Sequence, residues 1–161
     1  MNIKSGFSKV TTITGMVLGL LAASAMAAPE KADHDHDDGV TELRLNHGSK
    51  WAIDAPLSRA MTNIRNAMDQ DIEAIHADQL AEERYVALSD KITAEVAYMV
   101  ENCNLEPEAD AQLHLVIHDL MQGSAAMRDS DGARDGAVKV IGAIDNYVTY
   151  FDDPAFQPLK H

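Results

Sequence analysis

Residues 54–76 read DAPLSRAMTNIRNAMDQDIEAIH, and their spacing decides the fold. Leu57, Met61, Ile64, Met68, Ile72 and Ile75 recur every three or four positions, which puts six apolar side chains on one stripe of a helix. Asp54 stands where an N-cap acceptor belongs, and Pro56 falls in the first turn, where its missing N–H costs nothing. The stretch therefore predicts an amphipathic helix opening after Asp54 and running for about five or six turns. One such stripe cannot bury itself, so the rest of the chain must supply its partners.

Three further stripes follow. After Asp78 the apolar positions are Tyr85, Leu88, Ile92, Val96, Met99 and Cys103, ended by Asn104-Leu-Glu-Pro107. Pro107 then opens a helix carrying Leu113, Val116, Ile117, Leu120 and Met127 inward, up to the break Asp129-Ser-Asp-Gly132. The fourth stripe is Ala137, Val140, Ile141, Ile144, Val148 and Phe151, stopping before Pro154 because a residue ahead of proline disfavours helical backbone. Four helices of about 20 residues with short connections predict an all-α fold, an antiparallel up-down-up-down four-helix bundle over 54–153. Composition agrees, since 5% aromatic residues and nine Gly in 161 residues suit helices better than a sheet.

Upstream, Lys4 and Lys9 precede an apolar run from Val10 to Ala23, and Ala25-Met-Ala27 offers small residues where a signal peptidase reads. Residues 1–27 thus read as a secretory signal peptide, cleaved after Ala27 or Ala28. The run of 14 residues is short of the roughly 20 that span a bilayer, so the expected product is periplasmic with no membrane span. Cleavage removes two of the 13 basic residues and none of the 26 acidic ones, leaving a formal charge of −15. Such a charge argues against nucleic acid and favours cations or a basic periplasmic protein as partners.

Residues 28–53 divide in two. APEKADHDHDDGV, 28–40, lacks bulky apolar side chains and reads as a flexible acidic tail. Thr41-Glu-Leu-Arg-Leu45, the turn Asn46-His-Gly48, and Trp51 with Ile53 form a lead-in that can fold back over the core. Residues 154–161 read as a C-terminal tail.

The run Leu45-Asn-His-Gly-Ser-Lys-Trp51 with Asp54-Ala-Pro-Leu57, Met61, Ile64 and Arg65 resembles the start of a little-characterised family of small secreted proteobacterial helical-bundle proteins. Ala94-Glu-Val96, Asn102-Cys103, Pro107-Glu-Ala-Asp-Ala-Gln-Leu-His114 and Asp135-Gly-Ala137 are similar to it as well. The resemblance implies a helical bundle in the cell envelope associated with metal handling, and no residue roles come with it.

The chemistry-bearing residues point the same way. Asp33-His-Asp-His-Asp-Asp38 sets His34 and His36 among carboxylates, a pattern suited to copper, zinc or nickel; the alternative is a solubilising tail with incidental histidines. His114 and His118 lie one helical turn apart, with Asp110 a turn earlier, either a shared metal face or boundary histidines on a solvated helix. In an up-down bundle, Met61, Met99, Cys103 and His114 fall at one pole, with Tyr147 and Phe151 nearby. That soft donor set suits Cu(I), although methionine at core spacing also serves as packing. Cys103, the one cysteine, has no internal disulfide partner.

Other chemistries lack their residues. Without Cys-x-x-Cys-His or an inward histidine on the fourth helix, no haem is expected. Glu73-Ala-Ile-His76 matches a di-iron motif only once, with Glu73 projecting toward water. No phosphate loop or nucleophile elbow occurs, so the expectation is a non-enzymatic binding protein. Copper, as Cu(I) or Cu(II), comes before zinc or nickel, and an envelope interaction module without a bundle metal site is the alternative.

Overall fold

The computed structural model describes residues 41–160. These form a mostly helical fold of four helices, α1 (Ala55–His76), α2 (Glu82–Asn102), α3 (Pro107–Ala126) and α4 (Ala133–Tyr150), with two-residue strands β1 (Trp51–Ala52) and β2 (Phe151–Asp152). The segments read above as a signal peptide, 1–27, and as an acidic tail, 28–40, with His34 and His36, lie outside the described residues.

The first helix begins as its sequence predicts. Asp54 is extended at the N-cap and its Oδ1 accepts from the Leu57 N–H at 2.9 Å. At the other end Asp78 takes a left-handed φ of 54°, which turns the chain into α2. Leu57, Met61, Ile64, Met68, Ile72 and Ile75 are all buried, so the stripe is the core face. Glu82 and Glu83 open α2 without a side-chain cap, and their charge favours the positive end of the helix dipole.

Each helix packs on the next, and α1 also meets α4. Polar contacts fix which ends adjoin. Asp54 before α1 accepts from the Asn104 N–H after α2 at 2.7 Å, and Arg134 on α4 donates to the Ile75 carbonyl near the end of α1 at 3.1 Å. Early in α2, Ser89 and late in α3, Ser124 are buried and share a hydroxyl contact at 2.9 Å, with each also bonded to the other's carbonyl. Glycine brings α3 and α4 together: a Cβ on either Gly123 or Gly136 would stand 2.6 Å from the other's carbonyl oxygen. No larger residue fits that crossing without moving backbone.

Three stripe positions are less buried than the sequence pattern predicts, Cys103 among them. Val148 and Ile117 are half-buried, whereas Tyr147 is fully buried, so the core face of α4 is rotated toward Tyr147. An aromatic cluster explains the rotation, because Tyr147 stacks on Phe151 at 5.4 Å and meets Phe156 edge-on at 5.1 Å.

The packed body also extends past 54–153 at both ends. β1 pairs in parallel with β2, Trp51 opposite Phe151. Trp51 is buried, its indole N–H donating to the Arg44 carbonyl at 2.6 Å, while the Arg44 N–H donates to buried Gln112 at 2.7 Å. Past Pro154, Phe156 and Leu159 are buried as well. Single aromatic and leucine anchors outside any helical period supply this packing, and no periodic signal announces them.

Candidate functional site

The end of the fold where α2 gives way to α3 holds two of the expected donors, Cys103 and His114. Cys103 is the C-cap of α2, extended at φ −73° and ψ 142°, with its N–H bonded to the Met99 carbonyl. Its thiol is half-buried. Burial pushes the thiol up to about 12, helped by the Asp54 charge, by donation of the thiol hydrogen to the Asp54 carboxylate, and by Asp110. The cysteine is therefore a neutral thiol at physiological pH.

Asp54 does three things at once. It caps α1, fastens the residue after Cys103, and helps to keep the thiol protonated. Tyr147 faces the same end, its hydroxyl donating to Asp153 at 2.8 Å; burial, that bond and the charges of Asp153, Asp54 and Cys103 push its ionisation well above the usual tyrosine range. A cavity of about 380 Å³ lined by Trp51, Asp54, Asn104, Glu106 and Glu108 opens beside this cluster. Its carboxylates make the opening acidic.

His114 sits at the edge. Its Nδ1 lies 2.9 Å from the Asp110 carbonyl and 3.5 Å from the Asp110 carboxylate. A carbonyl only accepts, so Nδ1 carries a hydrogen, and Nε2 is the nitrogen left to offer a lone pair in the neutral ring. His118 is exposed further along α3, and its Nε2 takes the Gln122 amide at 2.7 Å. Met61 and Met99 are fully buried in the apolar core.

Cys103, Asp54 and Asp110 are thus brought together, with His114 tied on through Asp110. His118 stands apart, and the two methionine side chains belong to the core. Among the described residues no group of three or more His, Cys, Asp or Glu side chains stands ready to hold one metal ion. The multiple role of Asp54 was hidden in sequence, where it reads only as a cap. Gln112, Ser89, Ser124 and Glu95 were missed too; Glu95 is buried on α2, accepting from Asn63 at 3.1 Å and pairing with Lys91. Their one signal is a polar residue at a stripe position.

No protein-family model, curated protein or solved structure matches the chain.

Proposed function

We propose that the protein is a non-enzymatic periplasmic four-helix bundle, of up-down-up-down connectivity behind a cleaved signal peptide, that binds or buffers a transition metal, copper first. The juxtaposition of Cys103 with Asp54, Asp110 and the Asp110-bound His114 carries this reading. Adjoining helix ends at Asp54–Asn104 and Arg134–Ile75 support the connectivity. A metal here must displace the thiol proton, so a thiophilic ion such as Cu(I) is favoured over a hard one. His114 would offer Nε2, and Met99, one turn before Cys103, would reach the ion only by leaving its packed position. His34 and His36 would gather ions, with His118 at most a peripheral ligand.

The reading is tested by anaerobic Cu(I) competition titration of the chain from Ala28 onward. Cys103→Ser is expected to weaken Cu(I) binding at least tenfold, and the double change His34→Ala, His36→Ala much less. Loss only with the histidine pair would overturn the bundle site and leave the tail.

A second reading is favoured by the donors already being satisfied: Cys103 by Asp54, His114 by Asp110 and His118 by Gln122. In it the acidic helical surface docks a basic periplasmic partner and the bundle is only a scaffold. No Cu(I) retention at micromolar metal by any of these proteins supports that alternative.

A further inference from the structure

The other end of α2 holds a site built on different chemistry. The α1–α2 and α3–α4 connections come together there around a cavity of about 370 Å³, lined by Asp78, Glu82, Tyr85, Asp131, Arg134 and Asp135 among others. Four carboxylates thus face one guanidinium. Arg134 is partly engaged already, donating to the Ile75 carbonyl at 3.1 Å and standing 3.9 Å from Asp78. Its charge offsets one of the four acids, leaving an excess of negative charge around the opening.

Tyr85 marks the cavity as more than an acidic surface. The residue is 5% exposed and lines the cavity, yet its hydroxyl is shielded from solvent and has no hydrogen-bond partner within the protein. Its ionisation is raised by burial and then by Asp78, and lowered by Arg134, so the hydroxyl feels the charges of the cavity wall. Buried polar groups are ordinarily paired, and an unpaired one on a side chain that lines a cavity is a partner for a donor that can reach it. Phenol oxygen accepts as well as donates, and carboxylates only accept. The missing component is therefore a donor, and the surrounding charge requires it to be a cation.

We propose that this cavity binds a small organic cation through an N–H-bearing head, an alkylammonium or a guanidinium, with Asp131, Asp135 and Glu82 meeting its charge and the Tyr85 hydroxyl accepting from it. A bare divalent ion fits less well, because the carboxylates are spread around the cavity and no group of three among the described residues is placed to share one ion. An organic cation can span that spacing with separate donors. The head can belong to a free amine or to a lysine or arginine side chain of a partner. The proposal is independent of the Cys103 end.

Calorimetric titration of the chain from Ala28 onward with putrescine, with a short lysine-containing peptide and with CaCl2 separates these sources. Saturable binding of putrescine or of the peptide is expected, weakened at least tenfold by the double change Asp131→Asn, Asp135→Asn and several-fold by Tyr85→Phe. The stronger of the two probes identifies the source. Tyr85→Phe removes only an unpaired hydroxyl, so it keeps its fold, checked by circular dichroism, and its effect reads the site. Binding that is unchanged in Tyr85→Phe, absent for both amines, or matched by CaCl2 at equal concentration overturns the proposal.

Discussion

The two ends of α2 solve the same problem in opposite ways. At the Cys103 end the polar groups that hold the chain are used, although the buried Gln112 Nε2 has no partner: Asp54 takes two backbone N–H groups, Tyr147 gives its hydroxyl to Asp153, and β1 against β2 fastens the lead-in to the end of α4. At the Tyr85 end the carboxylates outnumber the one cavity-lining cation, and a buried hydroxyl is unpaired. A ligand arriving at the first end must displace something, above all the thiol proton. At the second end it displaces little. Under the two proposals selectivity would follow from that difference: a metal at the closed end would have to compete with a proton for sulfur, whereas the other end would take a cation whose donors fit.

The largest expected effect breaks or confirms the closed character of the first end. Cys103 rises from 9.0 to about 12, so near pH 8 the native protein carries roughly a thousandfold less thiolate than the unfolded chain. A more basic thiolate is intrinsically more reactive, which returns about twentyfold and leaves alkylation by iodoacetamide roughly fiftyfold slower in the native protein. Because the folded value is raised, the stability due to the protonated thiol is fully present below about pH 9 and is lost as pH rises through about 12. Asp54→Asn keeps a capping acceptor but removes the charge, and alkylation should accelerate. Equal rates for native and unfolded protein would mean that the thiol is not held by this end at all.

The second prediction concerns the α3–α4 crossing beside the Tyr85 end. A Cβ on Gly136 would meet Gly123 O at 2.6 Å, Met127 N at 2.7 Å and Ala126 C at 3.0 Å, all of them backbone. Gly136→Ala should therefore cost about 2–4 kcal/mol through forced separation of the helices. Gly142, on the same helix, has nothing within 4 Å of its would-be Cβ, and Gly142→Ala should add about 0.5–1 kcal/mol. Urea midpoints of the two variants moving in the same direction would show that α3 and α4 are not in backbone contact.

How much of this was legible in sequence depends on whether a residue acts through period or through a partner. Leu57 to Ile75 is legible because burial repeats with the helix, and the Asp54 cap and Pro107 start are legible because both act locally. Cys103 and His114 could be put at one end from connectivity alone, but not the link through Asp110. The burial of Met61 and Met99 fits packing as readily as ligation, and the pattern does not separate the two. Trp51 is expected to fold back over the core and is buried there, whereas Phe156 and Leu159, read as part of a tail, are single anchors that no periodic pattern announces. Tyr85 reads as an ordinary stripe residue; that its hydroxyl is unpaired depends on two loops meeting.

The smallest effect sharpens the comparison most directly, because it sets one tyrosine against another. Tyr147 and Tyr85 are both buried, but the Tyr147 hydroxyl donates to the Asp153 carboxylate at 2.8 Å while that of Tyr85 has no partner. Hydrogen bonds to charged groups contribute about 1.5–3 kcal/mol, so Tyr147→Phe should destabilise by an amount in that range. Removing the Tyr85 hydroxyl instead relieves a buried group of its unmet desolvation, and Tyr85→Phe should be neutral or stabilising by up to about 1 kcal/mol without ligand. Chemical unfolding of both variants in amine-free buffer measures the contrast. A loss in Tyr85→Phe as large as that in Tyr147→Phe would mean that the hydroxyl is already paired in solution, and the Tyr85 end would then be as closed as its counterpart.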